Sequence, residues 1–481
     1  MYRIFFTISI GFLFITSCAQ PPSERLIFKK FQLCKPRGAN DSVLCGTIPV
    51  IENRETNRGR IIQLNVIIVP ALSSDSLLPP IFDIDGGPGM ADTKNVFFYA
   101  NRGNPYRRHH DIVLVDVRGT GKSNGLYCTS FQARHTWSEK FEEMYPVDKV
   151  KECYAELSER ADLTQYTTTN VVKDFEEVRK WLGYEKIDLF SLSYGTRVAQ
   201  VYLKLFPSSI DKCILWSPTS IDSRMPLYHA RFAQQAFDKL VADCEHDSLC
   251  HASFPDFAKE FYALKDRSPF TIYAADSAGH VQPYTVPWDE VETKIRELTY
   301  SPAGLRSIPS LVHQLYLGNF EPFLKLYSFS PFTSTTFSEG FYLCVTCTED
   351  VPFIRKEEID SLTRGTFMGT YRIDQQLEAC AAWTKGKVSK DFLQPAHSNV
   401  PVLVFSGGFD PVTPTSMAKE IVSHLPNARL VVIPTMSHMF DGLSNIECFD
   451  NIALNFLDQP SNRKLNLSCV QQMRPGPYKV R

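Results

Sequence analysis

The chain has 481 residues, a formal net charge of −2 and 43% hydrophobic residues. That length accommodates one large domain, or a core carrying a sizeable insertion. A near-neutral balance without a long basic run leaves no electrostatic footprint for a nucleic-acid partner.

The N-terminus reads as an export signal. Arg3 gives a short basic start, and the apolar run 4–15 is too short to span a bilayer. Ile15-Thr16-Ser17-Cys18 resembles a lipobox, in which the Cys18 thiol is acylated and becomes the new N-terminus; an ordinary cleaved signal that happens to contain a cysteine is the alternative. Acyl chains, at about 0.8 kcal/mol per buried methylene, would hold the protein on a membrane without a spanning helix. The expectation is a leader at 1–17 and an exported chain of the cell envelope, with the leaflet left open. It would meet the membrane through its lipid anchor only.

Cysteine usage agrees with export. Thirteen cysteines, less Cys18, leave twelve for a compartment in which disulfides persist. Cys34 and Cys45, Cys128 and Cys153, Cys244 and Cys250, and Cys448 and Cys469 lie close in sequence, although spacing alone does not establish connectivity. Cys344-Val345-Thr346-Cys347 has no second pair at zinc spacing, so no metal is expected. Cys213 sits in an apolar strand pattern and reads as a small core residue.

Strand patterns at 61–69, 81–85, 112–117, 187–192, 212–217, 402–406 and 430–434 alternate with helical spacing, as at Val171, Phe175, Val178 and Leu182. This predicts an α/β fold with a mostly parallel sheet and helices on both faces. Between 217 and 402 the chain runs for roughly 180 residues, far beyond the usual connection. Helical pattern at Phe232, Ala236, Phe237, Leu240 and Val241 makes this stretch an inserted, mainly helical cap over the carboxyl edge of the sheet. The expected division is a core at 18–222, a cap at 223–395, the rest of the core at 396–472, and a poorly ordered tail at 473–481.

Three residues carry the chemistry. Phe190-Ser191-Leu192-Ser193-Tyr194-Gly195 follows a strand and opens a helix, the setting of a nucleophile elbow that lifts the Ser193 hydroxyl above the sheet. A hydroxyl needs a base, and the base needs an orienting acid. Asp410 and His438 each follow a later strand, in the order and at the edge this requires. Asp85-Gly86-Gly87-Pro88-Gly89 follows an earlier strand, where the N–H of Gly87, with that of Tyr194, would form an oxyanion hole. Gly121-Lys122-Ser123 mimics the end of a phosphate loop, but Asp116 stands where the first glycine belongs. The segment Asp116 to Gly121 reads as a structural turn whose Asp and Arg tie loops together.

Gly86-Gly87-Pro88-Gly89, Asp116 to Ser123, Ser193-Tyr194-Gly195-Thr196, Gly408 to Pro414 and Ser437-His438 together resemble the prolyl and tripeptidyl aminopeptidase branch of the α/β-hydrolases. The likeness runs from about Cys34 to Cys469. It implies an α/β-hydrolase fold and release of short peptides from the free amino end by acyl-enzyme chemistry, with no cofactor. It also implies pairing of Cys347 with Cys380, leaving Cys213 and Cys344 free. Two positions depart from the pattern: Asp85 replaces a His common in the family, and Ser191 replaces the first glycine of the elbow. An aminopeptidase must hold a cationic amine, and similar proteins supply acids from the cap; Glu349-Asp350 is the pair expected here, with a solvated surface pair as the alternative. A small-ester esterase on the same triad and a non-catalytic binding lipoprotein are the competing functions.

Overall fold

The computed structural model describes residues 31–480 apart from 74–77, 132–133, 277, 329–335 and 461–463. The leader and Cys18 lie outside the described residues. Eleven strands follow in chain order: β1 (Gln32–Cys34), β2 (Val43–Asn53), β3 (Arg58–Val69), β4 (Ile81–Ile84), β5 (Ile112–Val115), β6 (Ile187–Leu192), β7 (Ile210–Trp216), β8 (Phe270–Ala275), β9 (Val281–Val286), β10 (Val402–Gly407) and β11 (Ala428–Ile433). Nine form one sheet in the order β1-β2-β3-β5-β4-β6-β7-β10-β11, parallel from β5 to β11 and antiparallel from β1 to β5. The central parallel strands are buried on both faces, which explains apolar runs such as Ile112–Val115 in β5 and the start of β10.

All seven expected strands are present, within a few residues at their ends. The pattern gave no warning of β2, which contains Gly46 and Pro49. Pro cannot donate to a ladder, yet β1 covers β2 only at Val43, Leu44 and Cys45, so Pro49 lies on an open edge where no donor is missed.

The helices used below are α1 (Thr168–Leu182), α2 (Tyr194–Leu205), α3 (His229–His246), α4 (Phe257–Arg267), α5 (Trp288–Leu298), α6 (Ile308–Tyr316), α7 (Glu339–Glu349), α8 (Tyr371–Ala381), α9 (Thr415–Ser423) and α10 (Glu447–Asp458). α1 starts where the Thr167 side chain accepts from the Asn170 N–H and stops at Gly183, whose φ of 77° suits glycine. The long insertion does not pack as one body. α3 to α6 share a core built on Phe237, Phe261 and Phe367, beside the β8–β9 hairpin. α7, apolar on every side, instead enters the main core through Phe341, Leu343 and Val345.

Five disulfides join Cys34–Cys45, Cys128–Cys153, Cys244–Cys250, Cys347–Cys380 and Cys448–Cys469, while Cys213 and Cys344 are free and buried. The tail corrects an expectation. Instead of hanging loose, Tyr478 is 3% exposed and its hydroxyl donates to Asp243 Oδ2 at 2.7 Å, with the Arg306 guanidinium over its ring.

The turn after β5 is the tie that was expected. Asp116 accepts from the N–H groups of Thr93 and Lys122 and from Asn65. Arg118, fully buried, binds Asp174 through two nitrogens at 2.6 and 2.8 Å and reaches the carbonyls of Glu52 and Gln165. Removing one partner of a buried pair strands the other charge. Arg118→Met should therefore cost about 3 kcal/mol or more in a urea titration, although Arg54 still contacts Asp174; a loss within the scatter of surface substitutions would show that this pair does not hold the turn.

Candidate active site

The loops that follow β4, β6, β10 and β11 meet at the carboxyl edge of the sheet. β6 ends at Leu192 and α2 starts at Tyr194, so Ser193 alone makes the turn, at φ 53° and ψ −121°. This is a left-handed conformation that side chains other than glycine adopt at a cost. Its N–H donates to the Trp216 carbonyl at 3.0 Å, and its own carbonyl accepts from the Thr196 N–H. Ser191, the departure from glycine, fits because its buried hydroxyl donates to the Ile214 carbonyl on β7 at 2.7 Å.

Asp410 and His438 pair across the edge, with Asp410 Oδ2 2.9 Å from His438 Nδ1. The other carboxylate oxygen accepts from the Val412 and Thr413 N–H groups, both at 2.8 Å. Burial alone would raise the Asp410 pKa, but the His438 charge and these donors hold it below its ordinary value, so the carboxylate is ionised at neutral pH. His438 is tied to the end of β7, the strand beside the nucleophile's, through the Ser217 hydroxyl, which donates to the His438 carbonyl at 2.7 Å. Ser193 Oγ makes no hydrogen bond to His438 in this conformation, as is common without a substrate.

The glycine loop lies against the nucleophile. A Cβ added at Gly86 would stand 2.9 Å from Ser193 Cβ. The Gly86 N–H is taken by the Asp85 carboxylate at 2.6 Å, which also receives Asn95 and the Lys94 ammonium. Asp85 thus braces this loop. Gly87, at φ 116°, and Tyr194, in the first turn of α2, have N–H groups with no recorded acceptor among the described residues. The arrangement can move a proton from a hydroxyl to an imidazole and receive a developing oxyanion.

Glu349 and Asp350 are not the accessible pair anticipated. Both are fully buried at the end of α7. Asp350 binds both terminal nitrogens of Arg197 at 3.1 and 2.6 Å and accepts from the Met225 N–H. Glu349 accepts from the Thr168 N–H at 2.6 Å and from the Thr168 hydroxyl at 2.5 Å, and Arg197 stands 3.7 Å away. The Thr168 hydroxyl also meets the Tyr194 hydroxyl at 2.8 Å, so the cluster lies directly behind the residue that follows the nucleophile. Sequence alone does not single out Arg197, the one cation among the buried residues 194–203 of α2, where a guanidinium requires an acidic partner.

A model of the alpha/beta hydrolase fold matches residues 79–440. The chain belongs to the alpha/beta hydrolase fold family. This hydrolase is similar to serine protease Hip1 of Mycobacterium tuberculosis, at 24% identity over 86% of its own length and 85% of the relative's. It also resembles the putative hydrolase YuaR of Escherichia coli, at 24% over 45% of each chain. Among solved structures, MGS-M2, an alpha/beta hydrolase enzyme from a Medee basin deep-sea metagenome library, aligns at 16% identity over 85% of this chain and 97% of the other, with a TM-score of 0.38.

Burial pushes the Glu349 pKa from 4.5 up to about 7, against the pull of Arg197 and Thr168. Between those two values the folded hydrolase holds a proton that the unfolded chain has lost, so this group's contribution to stability falls as pH rises from about 4.5 towards 7. Glu349→Gln removes that slope. The stability of the variant relative to wild type should climb across this window by on the order of a few kcal/mol, read from urea midpoints at pH 5 and pH 8. Parallel profiles would show that Glu349 ionises normally.

Proposed function

We propose that this protein is an exported serine hydrolase, anchored through Cys18, that removes short fragments from the free amino end of peptides. The observation that carries the reading is the ionised Asp410 at 2.9 Å from His438, beside Ser193 on its strained turn. In this mechanism His438 takes the Ser193 proton as the hydroxyl attacks the scissile carbonyl. Asp410 orients the imidazole, and the N–H groups of Gly87 and Tyr194 hold the oxyanion. His438 then protonates the leaving amine, and water releases the acyl group.

Peptides are favoured over other acyl substrates by the similarity to a serine protease over most of both chains. Five disulfides fit an oxidising compartment. The preference for a free amine rests on charge. Glu349 and Asp350 share the single guanidinium of Arg197, so once Glu349 ionises the cluster behind Tyr194 is net negative. It would attract an ammonium through Tyr194 and Thr168 rather than by contact.

Mass spectrometry of digests from matched peptides with free and acetylated N-termini tests this reading. Only the free-amine forms should be cleaved, and Ser193→Ala should lower turnover by at least about 10⁴-fold with an unchanged circular dichroism spectrum. Equal cleavage of acetylated forms would remove the amine preference. Ester turnover without any peptide cleavage would make the protein an esterase.

A further inference from the structure

The cap holds a group of cationic and imidazole side chains for which the triad has no use. Two hydrogen bonds lace the end of α5 to the His438 loop: the Ser437 hydroxyl donates to the Thr299 carbonyl, and the Met439 N–H donates to the Tyr300 carbonyl at 2.8 Å. Tyr300 is thereby set edge-on to the His438 imidazole, with ring centres 5.2 Å apart. Beyond that ring, on the last turn of α5, the Arg296 guanidinium lies 5.3 Å from the Tyr300 centroid.

Arg296 is unpaired. Its Nε and Nη2 are buried and have no acceptor among the described residues, and no carboxylate there lies within ion-pair reach. Glu292, one turn earlier, makes no ion pair with it among the described residues; its Oε1 is buried without a partner, and burial pushes its pKa up to about 10, so the carboxyl is neutral. Arg372 on α8 has only neutral partners, the Tyr342 hydroxyl at 2.6 Å and Gln376 Oε1 at 3.1 Å. His229, where α3 begins, has both ring nitrogens buried without a partner; burial, with the nearby charges of Arg296 and Arg372, keeps its pKa well below the ordinary value and the ring neutral.

A half-buried guanidinium whose Nε and Nη2 lack an acceptor is costly, and a carboxylate is the acceptor that best compensates its charge. We infer that Arg296, flanked by Arg372 and His229, is a subsite for a carboxylate on the leaving group of the substrate. The side of the cleft follows from the chemistry. His438 must hand its proton to the departing atom, so the leaving group lies at the imidazole, where Tyr300 and Arg296 stand. An extended chain advances about 3.3–3.6 Å per residue, so a carboxylate one or two residues past the scissile bond can span the Tyr300 ring and reach the guanidinium. Its source is either the C-terminus of a very short peptide or an acidic side chain. The inference rests on hydrolysis at Ser193 but not on the substrate being a peptide.

The test compares leaving groups that differ only in charge. Acetyl esters of 4-hydroxybenzoate and 4-hydroxybenzamide, normalised to their spontaneous hydrolysis, ask the question without any peptide. Short free-amine peptides ending in carboxylate or carboxamide, and amidated peptides with Asp or Asn after the cleavage point, separate terminus from side chain. The charged member should be favoured about 10- to 100-fold in kcat/KM. Arg296→Met should erase the preference, and Arg296→Lys should keep part of it. Equal rates for the ester pair and for both peptide pairs in wild type, or a preference that survives Arg296→Met, overturns the subsite. If peptides are not cleaved at all, the ester pair still decides it, so failure of the peptidase reading and failure of this one are distinguishable.

Discussion

No methyl group fits at Gly195. A Cβ there would stand 2.2 Å from the Ile84 carbonyl oxygen and 2.6 Å from that of Asp85. This contact sets how near the end of β4 comes to the first turn of α2, and the remaining parts of the site are placed relative to it. Because the two elements close to backbone distance, the glycine loop after β4 can lie against Ser193, and its amides can face the same point in space as the hydroxyl. Any residue larger than glycine would push the loop away from the nucleophile, and the donors for an oxyanion would leave with it.

Charge is distributed around this contact in two unlike layers. Behind the nucleophile the protein buries an acid-rich cluster, with two carboxylates to one guanidinium, anchored to the start of α1 through Thr168. Over the histidine the cap presents guanidinium groups supported by tyrosine rings, with no carboxylate paired to them among the described residues. Buried charge is expensive, and a fold that keeps both kinds near one cleft has a strongly oriented field there. A zwitterionic substrate would be aligned along such a field before any chemistry begins.

The framework, and the placing of Ser193, Asp410 and His438 at one edge of the sheet, were legible from sequence because each is written locally. Strand runs such as 402–405 are apolar throughout, and Ser193, Asp410 and His438 each lie within a few residues of a strand's carboxyl end. The cysteines of four disulfides stand close in sequence, but their pairing is decided by the fold rather than by spacing. What escaped notice is set by distant partners. Arg197 and Asp350 are 153 residues apart, and nothing near either names the other. The burial of Glu349 and Asp350 could have been suspected from α7, whose apolar residues occupy every face, but two adjacent acids at its end resemble a solvated turn. Arg296 and Tyr300 acquire meaning only from their link to the His438 loop, which lies far along the chain. The tail looked unstructured because its Pro and Gly residues are turn formers, whereas Tyr478 finds its partners on α3 and at Arg306.

That tail binds both sides of the cleft. Thr435, just before the histidine, donates to the Met473 carbonyl at 2.7 Å, while Lys479 N–H and the Tyr478 hydroxyl reach Arg306 and Asp243 in the cap. One short segment therefore joins the cap to the histidine loop, and the two cannot part without breaking its hydrogen bonds. Any widening of the cleft that separates cap from core is thus coupled to release of this strap.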